Sequence, residues 1–218
     1  MSQNIKRLLS SIIYVSIMWF GTSYSEISCS LLFLIILIIC LYEMYKLRKG
    51  KTKIIAYSYI IAPFLLIHLF FMTDSNYIEK FDPGIILFMY ILTWTFDTFA
   101  YIIGTKFGNN KILPAISPKK SWEGLFGGTL FCIIMSYLCY DIFVDYSSRF
   151  SFIGLNKIII ASIVLPFTAT LGDFTVSYYK RLAKVKNSGN FIPGHGGMLD
   201  RMDAFTITIP VFYLIFNI

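Results

Sequence analysis

Charge is scarce in this chain. Only 14% of its residues are Asp, Glu, Lys or Arg, against about 25% in ordinary soluble domains, which argues against a soluble globular protein. Cysteine is scarce as well. Cys29, Cys40, Cys132 and Cys139 all lie in apolar stretches, with no CxxC pair and no histidine nearby. A zinc site or a disulfide framework is therefore not expected, and the four read as small buried hydrophobes. There is no GxxxxGKS or GxxxxGKT phosphate loop, no internal repeat and no low-complexity tail. Lys6 and Arg7 precede an apolar run, as in a signal peptide, but no small-x-small cleavage site follows. The run reads as a first membrane span.

What the chain has instead is apolar surface: 56% of its 218 residues are hydrophobic and 18% aromatic. Seven apolar segments stand out, at about Leu8–Ser23, Ile27–Tyr45, Ile54–Met72, Gly84–Ile103, Gly124–Tyr140, Ile158–Leu171 and Ala204–Ile218. A span needs about 20 apolar residues. The second, third and fourth meet this, and the first, sixth and last are short. The first two, separated by a few polar residues, suggest a tight helical pair. The expected fold is all-α, a polytopic helical bundle with about seven transmembrane helices. Residues 1–83 would supply N-terminal spans and 84–218 a catalytic region, within one membrane domain.

The distribution of basic residues sets an orientation. With the N-terminus inside, sixteen of the nineteen Lys and Arg fall on one side, and only Lys80, Arg149 and Lys157 on the other. This bias predicts a cytoplasmic N-terminus and an outside C-terminus. It also accounts for the net charge of +7 as a membrane face rather than a nucleic-acid surface. Two inside loops, about 104–123 and 172–203, hold more Gly, Pro and charge than simple connectors need, as functional loops do.

The chemistry-bearing residues gather there. Asp97 lies in the fourth apolar segment, where a carboxylate is costly and usually functional; a structural hydrogen bond to a neighbouring helix is the alternative. The first loop carries Ser117, Lys119 and Lys120 before Ser121-Trp122-Glu123-Gly124. Lysines beside hydroxyls and glycine suit phosphate binding, although lysines are also common on any cytoplasmic face. The second loop carries Asp173, Ser177, Lys180, Arg181, Lys186 and Asn187, then Pro193-Gly194-His195-Gly196-Gly197, then Asp200, Arg201 and Asp203. Carboxylate oxygens suit Mg²⁺, which keeps waters and binds substrate phosphates. Gly194, Gly196 and Gly197 would let backbone N–H groups approach phosphate oxygens, and His195 among them has no apolar face to pack on. Ion pairing within a solvated loop is the plainer reading of the acids. His68 reads as a helix-packing residue. A channel or transporter would place polar groups along several spans, and these spans are nearly clean.

The second loop resembles the signature of phosphatidate cytidylyltransferases, also called CDP-diacylglycerol synthases. That signature runs S-x-x-K-R, K-D-x-G and P-G-H-G-G-x-x-D-R-x-D. Here it is met by Ser177, Lys180, Arg181, Lys186, Gly189, Pro193 to Gly197, Asp200, Arg201 and Asp203. Asp97, Ala100 and Tyr101 resemble the family's D-x-x-A-Y segment, and Ser117 to Gly124 its S-P-K-K-T-W-E-G segment. The likeness covers about residues 90–210; earlier residues match only in being hydrophobic. Asn187 stands where the family has Asp, Ser121 where it has Thr, and seven spans where eight or nine are usual.

The resemblance implies transfer of a cytidylyl group from CTP to phosphatidic acid, giving CDP-diacylglycerol and pyrophosphate. It implies metal ligation by Asp173 and Asp200, Mg²⁺ with a second, monovalent cation such as K⁺, and a homodimer. The implied catalytic set is Asp173, Lys180, Arg181, Lys186, His195, Asp200, Arg201 and Asp203. Substrate binding would fall to Asp97, Ser117, Lys119, Lys120, Ser177, Gly194, Gly196 and Gly197. The site would face the cytoplasm from the inner membrane, where lipid and nucleotide meet, with no nucleic acid as partner. A CTP-dependent polyprenol kinase, a synthase acting on an archaeal-type lipid, and a non-catalytic relative are the neighbouring alternatives.

Overall fold

The computed structural model describes residues 3–48, 53–71, 81–192 and 196–217. Among them run seven helices: α1 (Gln3–Ser23), α2 (Glu26–Leu47), α3 (Lys53–Phe71), α4 (Gly84–Phe107), α5 (Trp122–Tyr146), α6 (Ser148–Leu182) and α7 (Leu199–Asn217). A short antiparallel hairpin, β1 (Lys111–Leu113) and β2 (Ser117–Ser121), sits between α4 and α5. Five helices, α2 to α6, are long and apolar enough to cross a membrane. The apolar part of α1, Leu9–Ser23, is shorter.

Serines set the helix starts. Ser25 and Ser28 exchange side chain-to-backbone hydrogen bonds at 3.1 and 3.0 Å, a reciprocal cap that turns α1 sharply into α2. The expected helical pair is therefore present, joined by a short turn. The Ser121 hydroxyl caps α5 by accepting from Gly124 N–H, and the Ser147 hydroxyl caps α6 by accepting from Phe150 N–H. Ser147 also donates to Asp82 at 2.7 Å, and Asp82 accepts from Gly84 N–H. These bonds fasten the start of α4 to the α5–α6 turn, where Phe88, Phe143 and Phe150 pack edge to face or tilted.

Helix α4 is the central element; its first half, from Gly84 to Met89, is buried throughout. It packs on α5, which leads into α6, and α6 lies along α7. The outward faces carry Ile13, Phe20, Ile35, Ile38, Leu138 and Ile142, all more than half exposed, as a lipid-facing surface requires. Polar groups turn inward and find partners: Thr22 bonds Tyr90 at 3.1 Å, and Thr168 bonds Thr208 at 2.8 Å. Such interhelical hydrogen bonds join spans that apolar contact alone does not hold in lipid.

Two sequence expectations change. The hairpin adds strand structure to a fold expected to be wholly helical. The expected loop 172–203 is helix at both ends, because α6 runs on to Leu182 and α7 begins at Leu199. The charges of this stretch do not break the helix. Asp173, Ser177 and Lys180 are spaced four and three apart, so they share one face. Helix α6 also begins near Ser148, ten residues before the apolar run at Ile158, with Gly154 at φ +75° interrupting its regular geometry.

Candidate active site

Four elements converge where α4, the hairpin, α5 and α6 meet, with α7 packed against α6. A cavity of about 240 Å³ there is lined by Asp97 and Tyr101 of α4, Ser117, Lys119 and Lys120 of β2, and Asp173 of α6. Lys120 Nζ lies 3.1 Å from Asp173 Oδ2, with its ammonium over the Phe174 ring. Asp203, buried near the start of α7, has Asp173, Lys120 and Asp97 within electrostatic reach, and Asp173 is the carboxylate in contact with the Lys120 ammonium.

Gly172 makes this meeting possible. Any Cβ there would overlap the backbone carbonyl of Asp203, so only glycine lets α6 and α7 approach closely enough to put Asp173 beside Asp203. Tyr59 of α3 braces the same contact. It donates to the Gly172 carbonyl at 3.2 Å and accepts from the Thr206 hydroxyl.

A second polar cluster holds Asp200. Lys180 Nζ donates to its Oδ1 at 2.8 Å, while Oδ2 accepts from Ser188 N–H, Ser188 Oγ and Gly197 N–H. Burial alone would raise this carboxyl, but the Lys180 ammonium and the backbone N–H groups of Ser188 and Gly197 outweigh it and hold it below the usual carboxylate range. Beneath lies Glu43 of α2, buried at 4% exposure. Its carboxylate accepts from Ser188 Oγ at 2.7 Å and from the N–H groups of Met198 and Leu199 at 3.0 and 2.9 Å. Those N–H groups open α7, where a helix has unsatisfied donors and favours an anion. A Cβ on Gly197 would collide with Ser188 Oγ and Glu43 Oε2. Glu43 therefore ties Ser188 to the start of α7, and Ser188 Oγ links it to Asp200.

Of the residues singled out in the sequence, the cavity unites Asp97, Ser117, Lys119, Lys120 and Asp173, with Asp203 against its edge. Lys180 and Asp200 form the adjoining ion pair, and Ser177 is buried on the same face of α6. Gly196, at φ +89°, and Gly197 flank Asp200. Arg181 lies apart, its Nε donating to the Ile116 carbonyl at 3.3 Å and so tethering the hairpin turn to α6. Lys186 is solvent-exposed. Arg201 lines a smaller cavity with Tyr14 and Trp94. His195 and Gly194 lie outside the described residues. Glu43 was not among the sequence candidates, yet it carries the signal that marked Asp97: an acid within an apolar segment.

The donor set suits a hard divalent cation. No three His, Cys, Asp or Glu side chains form a ready metal cluster among the described residues, but Mg²⁺ commonly takes one or two carboxylates and completes its shell with water and substrate phosphates. Asp173 and Asp203 offer carboxylate oxygens on either side of the α6–α7 contact, beside the Lys120 ammonium, a donor type that a hard cation accepts.

The cytidylyltransferase family model matches residues 53–218. This chain belongs to the cytidylyltransferase family. Among its relatives, a phosphatidate cytidylyltransferase of Rickettsia bellii is 34% identical over 214 residues, covering 96% of this chain and 89% of the relative. One of Rickettsia prowazekii is 33% identical over 214 residues, covering 98% and 92%. One of Staphylococcus saprophyticus is 43% identical over 126 residues, covering 58% and 46%. The cavity, both carboxyl clusters and the hairpin, apart from Glu43, fall inside the segment that the cytidylyltransferase model matches. The family chemistry and the observed site thus occupy the same part of the chain, set among helices fit to span a membrane.

Proposed function

We propose that this chain is a phosphatidate cytidylyltransferase, which joins CTP and phosphatidic acid into CDP-diacylglycerol with release of pyrophosphate. The observation that carries the reading is the convergence of Asp97, Lys119, Lys120 and Asp173 on one cavity, within the cytidylyltransferase segment of a membrane protein.

A phosphate oxygen of phosphatidic acid attacks the α-phosphorus of CTP. The bond from that phosphorus to the β-bridging oxygen breaks, and its electron pair leaves with pyrophosphate. The nucleophile is already an anion near neutral pH, so no strong base is needed. The barrier is the approach of two polyanions and the charge on the departing oxygens, met by in-line positioning and cations. Lys119 and Lys120 face the cavity where the triphosphate would lie. Lys180 orients Asp200, Arg181 steadies the hairpin that carries the lysines, and Lys186 stands at the solvent side to meet incoming phosphates.

Mg²⁺ fits this donor set. Asp173, with Asp200 and Asp203 one turn apart on α7, would hold it. When bound, it would neutralise phosphate charge and template the reactants. A monovalent cation such as K⁺ would serve as a second counter-charge. The chain sits in the cytoplasmic membrane with seven spans, its N-terminus and active site inside, and works as a homodimer. The positive-inside bias supports that orientation.

The test is a product assay on purified protein with phosphatidic acid, Mg²⁺ and, in turn, CTP, dCTP or ATP. Pyrophosphate and CDP-diacylglycerol in equal amounts, dependent on both lipid and metal, is the expected result. CDP without pyrophosphate would instead mark a CTP-dependent lipid kinase.

A further inference from the structure

Helices α1 and α2 leave an apolar slot between them. Its volume is about 550 Å³, within the roughly 300–1,000 Å³ of ligand pockets. Ile13 and Ile17 of α1, Ile35 and Ile39 of α2, and Phe191 and Met198 near α7 are among its walls. Ser10, Tyr14 and Ile192 line both this slot and a second cavity of about 140 Å³, which Ser11, Trp94 and Arg201 complete. The two spaces therefore adjoin. Among the described residues no acidic side chain lines either one, and the charged group there is the Arg201 guanidinium.

An apolar slot that ends at one cation and the hydroxyls of Ser10, Ser11 and Tyr14 matches an amphiphilic anion. The polar end is small, so it suits a compact headgroup such as a phosphate monoester. Arg201 is also placed for chemistry: it neighbours Asp200 in the chain, and both Arg201 and Lys120 lie within electrostatic reach of Asp97. Lys120 approaches from the hairpin cavity, whereas Arg201 belongs to the α1–α2 side. Two anionic substrates entering from the two sides would meet beside the carboxyl cluster.

We infer that the α1–α2 slot and the adjoining Arg201 cavity form the lipid subsite, the slot taking an acyl chain and Arg201 pairing with its phosphate. The inference rests on the lipid substrate being phosphatidic acid. It assigns the N-terminal helices, which lie outside the matched cytidylyltransferase segment, to substrate recognition.

Ile13 and Ile35 are more than half exposed, so Ile13→Trp and Ile35→Trp fill the slot without disturbing the core. Leu138→Trp on the exposed face of α5 is the control. With long-chain dioleoyl phosphatidic acid, kcat/KM falls about tenfold or more in both slot variants, while KM for CTP and the control variant stay at wild-type values. Wild-type kinetics in both slot variants would overturn the inference and leave the cytidylyl transfer standing.

A second readout needs no turnover. Phosphatidic acid with a photoactivatable group in mid-chain labels peptides of α1 and α2, and excess dioleoyl phosphatidic acid competes while phosphatidylcholine does not. Equal competition by phosphatidylcholine would show an unselective boundary lipid and overturn the subsite. Selective labelling without CDP-lipid formation would keep the subsite and sink the proposed reaction instead.

Discussion

Replacing Asp173 by Asn changes one oxygen to nitrogen and removes the charge that faces Lys120 and Asp203. Turnover falls by about 10²–10³ or more, the scale of losing one preorganised electrostatic group, while membrane insertion and thermal unfolding stay close to wild type. Near-normal activity in Asp173→Asn would remove the cation site from the account. Glu43 acts differently, through positioning. Glu43→Ala orphans the N–H groups of Met198 and Leu199 and leaves the Ser188 hydroxyl with Asp200 alone, at about 1–3 kcal/mol for each buried group left unpaired. The melting temperature therefore drops along with activity, and Glu43→Gln, which keeps an acceptor, recovers part of both. Asp200 carries a pH signature. Its carboxyl is held below its ordinary range when folded, so its stabilising contribution is present above the unfolded pKa of about 4. That contribution is lost as the pH falls through the lower folded value. The melting-temperature gap between wild type and Asp200→Asn accordingly closes on acidification below about pH 4.

At the scale of elements, the hairpin and the α6–α7 contact shape the cavity. Arg181 holds the hairpin turn through one hydrogen bond to Ile116. Arg181→Ala raises KM for CTP about two- to tenfold, the equivalent of 0.5–1.5 kcal/mol, with little change in kcat. An equal fall in kcat with KM unchanged would mean that Arg181 contacts the transition state rather than the hairpin. These elements were only partly legible in the sequence. The apolar runs located the spans, because lipid demands length and hydrophobicity together. The three-residue strand Lys111–Leu113 left no comparable pattern, since three residues are too few for an alternation to be read. The charges of α6 masked its helix for the opposite reason: Asp173, Ser177 and Lys180 pattern one face, which looks like loop composition until the spacing is counted. Glu43 escaped because it sits near the end of its run beside Lys46, where an acid passes as interfacial. Its role depends on contacts with Ser188, Met198 and Leu199, about 150 residues away in sequence, the Met198 bond alone separated by 155.

For the molecule as a whole, the fold divides labour between its two sides. The hairpin cavity gathers lysines at the end of the central helix, and the N-terminal pair adds an apolar slot beside Arg201. Helices α6 and α7 bring their acids between the two by packing across Gly172. The site is therefore distributed over α4, β2, α6 and α7, with α1 and α2 beside it, so no single segment of the chain contains it. Motif residues could name its members from sequence. Only the packing shows that Asp173 meets Asp203 and Lys120, while Asp200 meets Lys180 and the Glu43 clamp. Label tracing shows whether this arrangement transfers the cytidylyl group. The purified protein is given phosphatidic acid, Mg²⁺ and CTP labelled at either the α- or the γ-phosphorus. In cytidylyl transfer the α label enters the lipid and the γ label leaves as pyrophosphate. A γ label found in the lipid would mean that the terminal phosphoryl group is transferred instead, and cytidylyl transfer would be ruled out.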